Sequence, residues 1–248
     1  MILRCEDLNK SFDGTCALAG VSMEFPVSGI IAIIGPNGAG KTTLINVLTG
    51  FLRVDSGRSF LNGRELTGLA PHKIARFGIG RTFQDLRLIN LVSVLENVML
   101  ARPNQKGERL LSALFRFGVA NEEKQNREES MRLLRFVGLE GTADELAGEL
   151  SYGQQKLLTL ACCLATEAKI LLLDEPVAGV HPEMVVKILG LLSELRGQGK
   201  LVVFIEHDIA AVRQVADQVI VMDEGRIIAQ GKPAEVLERT EIIEAYVG

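Results

Sequence analysis

The chain has 248 residues, 47% of them hydrophobic and 23% charged, which is the composition of a soluble globular protein with enough apolar material for a sizeable core. Lys and Arg number 27 against 31 Asp and Glu, for a formal net charge of −4. That balance argues against a general nucleic-acid binder, which carries a basic surplus, so no nucleic-acid partner is expected. No apolar run approaches the roughly 18 residues needed to cross a bilayer, and the N-terminus lacks the basic-then-apolar pattern of a signal peptide. Cys5, Cys16, Cys162 and Cys163 form neither a C-x-x-C pair nor a zinc spacing and read as reduced thiols of a cytosolic protein.

Taken in chain order, the first 30 residues alternate in short segments around Asp13-Gly14 and predict an antiparallel subdomain. Ile30–Gly35 is a short apolar run ending in glycine, and a helical stretch follows from Lys41 to Thr49. Between about Leu86 and Leu150 the pattern turns helical: Met131, Leu134 and Val137 share a helical face amid the charged run Glu122–Arg135. Arg102 to Arg116 carries four basic residues and one acid, read as a solvated helix face rather than a membrane-surface patch. Ile170–Leu173 and Leu201–Ile205 are two further strand-length runs, the second followed by a helix from Asp208 to Ala216. Val219–Met222 and Arg226–Ala229 flank Asp223-Glu224-Gly225, a hairpin turn. Continuous apolar runs separated by helices predict an α/β fold with a parallel sheet covered on both faces.

The strongest chemical signal is Gly35-Pro36-Asn37-Gly38-Ala39-Gly40-Lys41-Thr42, a full match to G-x-x-x-x-G-K-S/T between a strand and a helix. Glycines there let backbone N–H groups close around phosphate oxygens, and the helix N-terminus adds partial positive charge. Lys41 is expected to reach the β and γ phosphates and Thr42 to ligate Mg²⁺, with Thr43 counted among the nucleotide-binding residues. A glycine-rich turn with an incidental lysine is the competing reading. Asp174 and Glu175 end the run Ile170-Leu171-Leu172-Leu173, where an open parallel sheet binds its ligands. Asp174 is expected to hold the magnesium shell and Glu175 to take a proton from an attacking water. Taken alone, two such acids would be only a strand-terminating turn. Leu150-Ser151-Tyr152-Gly153-Gln154-Gln155 precedes a helix with Leu157, Leu160, Ala161 and Leu164 on one face, and Ser151 is its expected N-cap and part of a second anion site.

Together these residues resemble the ATP-binding-cassette (ABC) ATPases, whose signature reads L-S-G-G-Q, and the match covers essentially the whole chain. The resemblance implies a P-loop fold with a RecA-like parallel-sheet core, an N-terminal antiparallel β-subdomain and an inserted helical subdomain. It implies a single ABC domain over 1–248: residues 1–85 for the β-subdomain and first part of the core, 86–150 for the helical subdomain, 151–235 for the rest of the core and 236–248 for a helical tail. It also implies ATP and Mg²⁺ as ligands and head-to-tail pairing with a second cassette, in which Ser151, Gly153 and Gln154 of one copy cover the γ-phosphate held by the other. By the same resemblance Gln84 contacts Mg²⁺ and the attacking water, His207 contacts the γ-phosphate, and Phe12 stacks on adenine, with a core phenylalanine as the alternative for that position. Three departures from the family pattern stand out. Tyr152 replaces the first signature glycine, His181 occupies a loop position where aspartate is common, and Lys156-Leu157 and Cys162-Cys163 stand where relatives often place arginines. The histidine puts equal hydrolysis at the two sites in question.

Arg81-Thr82-Phe83-Gln84-Asp85-Leu86-Arg87-Leu88-Ile89, the Leu-Ser-Tyr-Gly-Gln-Gln signature and Asp174-Glu175-Pro176-Val177-Ala178-Gly179 are similar to the branched-chain amino-acid importer ATPases. The segment Pro103–Phe117 favours the LivG-type subunit of that branch. The resemblance implies a peripheral protein on the cytoplasmic face of the inner membrane, joined to permease subunits and, through them, to an extracytoplasmic substrate-binding protein. An importer subunit for urea or amides, a soluble ATPase that remodels a protein scaffold, and a nucleotide-sensing module are the alternatives.

Overall fold

The computed structural model describes residues 1–103, 119–239 and 242. Two compact units divide them: 1–81 with 169 onward, and 82–168. In the first unit, β1 (Leu3–Phe12) and β2 (Thr15–Glu24) form a hairpin extended by β4 (Ser56–Leu61) and β5 (Arg64–Glu65) into a four-stranded antiparallel sheet, ordered β2-β1-β4-β5. Asp13 and Gly14 take φ 45° and 87° at its turn, the left-handed pair that matches strand twist in two-residue hairpins.

The second sheet has six strands in the order β10-β9-β3-β8-β7-β6, formed by β3 (Gly29–Ile34), β6 (Ile79–Arg81), β7 (Ile170–Asp174), β8 (Leu201–Ile205), β9 (Gln218–Asp223) and β10 (Arg226–Gly231). Every neighbouring pair is parallel except β9–β10, the C-terminal hairpin. All five residues of β7 and of β8 are buried, as strands covered on both faces must be. On one face, Ile31, Ile33, Leu172, Val203 and Ile220 pack with Leu44, Ile45 and Leu48 of α1 (Lys41–Leu48) and with Leu8, Leu18 and Phe25 around the antiparallel sheet. Alternate residues such as Ile30, Leu171, Val202 and Phe204 are buried too. The helix α6 (Pro182–Gly197) packs against β3 and β8 and buries Ile188, Leu189, Leu192 and Leu195. Short helices α2 (Pro71–Arg76), α7 (Ile209–Val215) and α8 (Pro233–Val236) complete the unit.

The second unit holds α3 (Val94–Leu100), α4 (Val119–Val137) and α5 (Tyr152–Ala165), packed pairwise. Leu134 and Val137 of α4 are fully buried, as their spacing predicts, whereas Met131 lies only partly buried. The expected helical segment ended at residue 150, but the compact unit runs on to Ala168. The reason is the apolar face of α5, where Leu157, Leu160, Ala161 and Leu164 are buried and α3 and α4 are the packing partners. Residues 104–118, which hold most of the basic stretch 102–116 and of the segment 103–117, and residues 240–241 and 243–248 of the expected tail lie outside the described residues.

All four cysteines are free, and only Cys16 is exposed. Burial pushes the Cys5 and Cys162 thiols up to about 12, which keeps them protonated and poor nucleophiles. A maleimide reagent added to the native protein is therefore expected to modify Cys16 first. Peptide mapping that found Cys5 or Cys162 labelled at a comparable rate would contradict this packing.

Candidate functional site

Because β3, β7 and β8 are parallel, their carboxyl ends lie along one edge of the sheet, and each delivers a different part of the site. After β3 the chain turns through Gly35 to Gly40 into α1. Gly35 has φ 152°, and a Cβ there would lie 2.0 Å from the carbonyl oxygen of Met222. Gly40 has φ 95°, and a Cβ there would meet the Ala17 carbonyl oxygen at 2.3 Å. These two glycines are thus demanded by the backbone of neighbouring strands, a reason beyond the approach of a phosphate. Gly38, at φ 84°, faces open space. The C-terminal hairpin also braces the loop. Gly225 N–H donates to the Ala39 carbonyl at 3.2 Å, and the Ala19 N–H donates to the Gly225 carbonyl at 2.9 Å.

Lys41 opens α1 and is 6% exposed. Its Nζ donates to the carbonyls of Gly35 and Pro36, at 2.7 and 2.9 Å, so the ammonium folds back under the loop. Burial lowers its pKa, and the carboxylates of Glu175 and then Asp174 pull it back up, which places both acids within electrostatic range of the lysine. Thr42 in the first turn is exposed and Thr43 half-buried. Asp174 ends β7, 3% exposed, with its Oδ2 3.6 Å from Arg81 Nη2. Arg81 ends β6, and its Nη1 donates to Asn46 Oδ1 at 2.7 Å and Thr49 Oγ1 at 3.1 Å on and just after α1, while its guanidinium lies 5.5 Å from the Phe51 ring centre. The arginine so ties the acid-bearing strand to the phosphate-loop helix. Its role escaped sequence reasoning. A lone arginine closing an apolar strand was the one available sign.

Glu175 adopts φ 48°, a left-handed conformation that costs a non-glycine residue roughly 1–3 kcal/mol and concentrates at functional sites. Its N–H donates to the Ile205 carbonyl at 3.1 Å, and its Oε1 lies 3.4 Å from Nε2 of His207, just beyond β8. His207 is 41% exposed at its side chain and Glu175 22%, so both reach solvent from a buried base. Phe12 is 45% exposed at the end of β1, which removes the core reading for it. Asp55 fixes the strand just before it, accepting from Lys10 Nζ at 2.6 Å and from the Ser11 N–H at 2.7 Å.

Gln84 and the signature residues belong to the second unit, His181 to the first. Gln84 is exposed in a bend after β6. The loop beyond it is gripped by buried Asn97, whose Oδ1 accepts from the Ile89 N–H at 2.9 Å and whose Nδ2 donates to the Ile89 carbonyl at 3.1 Å. Ser151 is the N-cap of α5, in a capping box. Its Oγ accepts from the Gln154 N–H at 3.4 Å and donates to Gln154 Oε1 at 2.8 Å, and the Ser151 N–H donates to the same Oε1 at 3.0 Å. Gly153 and Gln154 are half-buried and Tyr152 is 46% exposed. His181 caps α6, its Nδ1 accepting from the Glu183 N–H at 3.4 Å, so the imidazole performs the capping task an aspartate would perform.

Among the described residues no cluster of three or more His, Cys, Asp or Glu could hold a metal ion. The donor set nevertheless suits Mg²⁺ carried in with phosphates: a carboxylate and a hydroxyl, all oxygen, with most ligands left to the nucleotide and water.

The family model for ABC transporters matches residues 18–178. The chain is 37% identical to the high-affinity branched-chain amino acid transport ATP-binding protein BraF of Pseudomonas aeruginosa, over 100% of this chain and 98% of that protein. It is 38% identical to a probable branched-chain amino acid transport ATP-binding protein, LivG, of Archaeoglobus fulgidus, over 100% of this chain and 95% of the relative. Among solved structures, the ADP conformation of an ATP-binding cassette of an ABC transporter superposes with a TM-score of 0.87 at 37% identity, covering 100% of this chain and 98% of the other. A dimeric cassette in a post-hydrolysis state, bound to ADP and phosphate, gives 0.79 at 25% identity, over 93% and 98% of the two chains.

Replacing Arg81 by Ala would leave the buried Asp174 carboxylate without its guanidinium. A destabilisation of about 3–5 kcal/mol in urea unfolding is expected, the range for breaking a buried ion pair from one side. A change under about 1 kcal/mol, the size of a surface pair, would show that the contact carries little.

Proposed function

The chain belongs to the ABC transporter family, and from that membership we propose that it powers the uptake of branched-chain or other hydrophobic amino acids as the ATP-hydrolysing subunit of an importer. The observation that carries the chemistry is the convergence of Lys41, Asp174, Glu175 and His207 on one edge of the sheet, with His207 Nε2 3.4 Å from Glu175 Oε1. Similarity along the full chain to transport ATP-binding proteins supports the importer reading over scaffold remodelling, and the intact acid and histidine favour turnover over nucleotide sensing.

In this reading Phe12 stacks on adenine, the backbone of residues 35–40 surrounds the phosphates, and Lys41 leaves the Gly35 and Pro36 carbonyls to neutralise the β and γ phosphates. Thr42 and Asp174 of the first unit would hold Mg²⁺, with Gln84 assigned to it by the family resemblance, and the ion would supply charge neutralisation at the phosphate oxygens. Glu175 accepts a proton from the attacking water, and His207, beside Glu175, contacts the γ-phosphate. Fixed charge around the γ-phosphate provides most of the acceleration, since the groups are in place before reaction. A second cassette completes the site: Ser151, Gly153 and the Gln154 amide of one copy face the phosphate held by the other. The capping box of Ser151 loosens its hydroxyl for that role only by exchanging one acceptor, Gln154 Oε1, for another. Hydrolysis reopens the pair, and permease subunits in the membrane convert that motion to transport, fed by an extracytoplasmic binding protein.

Glu175→Gln is expected to bind ATP normally while kcat falls about 10²- to 10⁴-fold, the usual worth of a general base. Lys41→Ala is expected to weaken ATP binding itself by about 10- to 100-fold, the loss of charge-assisted hydrogen bonds to phosphate. Isothermal titration and phosphate release measured side by side separate the two, and normal turnover by Glu175→Gln would falsify the assignment of the base. Capture with ATP-trapped Glu175→Gln from solubilised membranes should recover multi-span permease subunits and a second cassette. Recovery of soluble scaffold proteins alone would overturn the transport reading.

A further inference from the structure

Glu206 lies between β8 and His207 and is 1% exposed, one of few charged side chains so deeply buried among the described residues. Its carboxylate is used at both oxygens. Oε1 accepts the N–H of buried Val177 at 2.9 Å, and Oε2 accepts the N–H of His207 at 3.2 Å. Val177 lies two residues beyond Glu175, across Pro176, whose ring fixes φ and stiffens the connection. His207 in turn reaches back to Glu175, Nε2 to Oε1 at 3.4 Å. The contacts therefore close a ring: Glu175 to Val177 along the chain, Val177 to Glu206 through one oxygen, Glu206 to His207 through the other, and His207 to Glu175 through the imidazole.

We propose that Glu206 is a positioning residue whose buried carboxylate sets the separation between the Glu175 carboxylate and the His207 imidazole. The inference rests on the roles proposed above for those two side chains. Backbone packing leaves two N–H groups at the ends of different loops, and a single carboxylate accepts both without a donor of its own to misplace. Burial of a carboxylate is costly unless each oxygen is hydrogen-bonded, so the acid holds its position only while both loops hold theirs. The strained φ of 48° at Glu175 needs such over-determination by its surroundings. Neither Val177 nor Glu206 belongs to the phosphate loop, so the link acts on the reacting geometry and leaves nucleotide capture to residues 35–43.

Glu206→Gln tests this, because it keeps the shape but presents an amide N–H to one of the two backbone donors. With the full chain, the expected result is an ATP affinity and KM within about twofold of the unaltered protein and a kcat lower by about tenfold or more, the loss of one hydrogen bond to a charged group expressed in the transition state. Glu206→Leu, which accepts neither N–H, is expected to lose more. Residue-resolved amide exchange should show Val177 or His207 N–H exchanging faster in Glu206→Gln. Glu175→Gln is run alongside. If it is inert while Glu206→Gln turns over at the unaltered rate, the positioning role is overturned and the general base stands. If Glu206→Gln loses ATP affinity and kcat together, Glu206 merely supports the fold, and the positioning role is again overturned. Normal turnover by Glu175→Gln would instead remove the role on which this inference rests.

Discussion

Parallel pairing of β3, β7 and β8 is the constraint on which the chemistry of the first unit depends. Parallel strands point their carboxyl ends the same way, so three chain segments far apart in sequence end along one edge. The register puts Asp174 opposite Ile205 and Ile33 opposite Ile205 on the other side, which levels the three strand ends. A shift of one residue in β7 would turn Asp174 to the other face of the sheet. The buried β-branched and leucine side chains on both faces prevent such a shift, because any slip would disrupt the packing of every inward residue. Packing of apolar side chains thus decides where the charged ones stand.

Around that edge, charge is buried only in company. Lys41 is tucked against two loop carbonyls and feels Glu175 and Asp174, and Asp174 has Arg81 beside it. Glu206 is satisfied by two backbone N–H groups. In the proposed function Lys41 would exchange its loop carbonyls for phosphate while the groups around it keep their partners, so binding would take place within a preorganised field. Such exchange limits the reorganisation needed at the moment of reaction, which is the main source of electrostatic catalysis. The exposed residues follow a different logic. Thr42, Phe12 and His207 reach solvent from rigid bases, a strand end or a first helical turn, and so keep their direction while remaining accessible.

The second unit obtains its rigidity from helix ends. Ser93 with Glu96 and Ser151 with Gln154 form capping boxes at α3 and α5, and Asn97 grips Ile89 by both backbone groups. The capping boxes satisfy N–H groups that a helix start leaves free, and Asn97 fixes the loop before α3. At α5 the same residues carry the family signature, so local stability and the proposed phosphate contact draw on one serine. His181 at α6 shows how a departure from the family pattern is accommodated, since its imidazole nitrogen supplies the acceptor that the helix start requires.

Local and periodic information sufficed for much of this. The phosphate loop, the strand runs at 30–35, 170–173 and 201–205, the antiparallel segments around Asp13-Gly14 and the hairpin turn at 223–225 were legible because each depends on residues adjacent in the chain. Lys41 could be named from the phosphate-loop motif, Asp174 and Glu175 because they end a strand run, and His207 from the family resemblance together with its place after the run 201–205. What tertiary structure alone decided depends on neighbours distant in sequence. Arg81 meets Asp174 and Asn46 across 93 and 35 positions by the residue numbering, and Glu206 meets Val177 across 29. The demand for glycine at Gly35 and Gly40 comes from the carbonyls of Met222 and Ala17, and the exposure of Phe12 from its place at a strand end. The extension of the helical unit to Ala168 likewise followed from the face α5 buries. Sequence periodicity specifies which face of an element is apolar, but the partner for that face is chosen only when the elements pack.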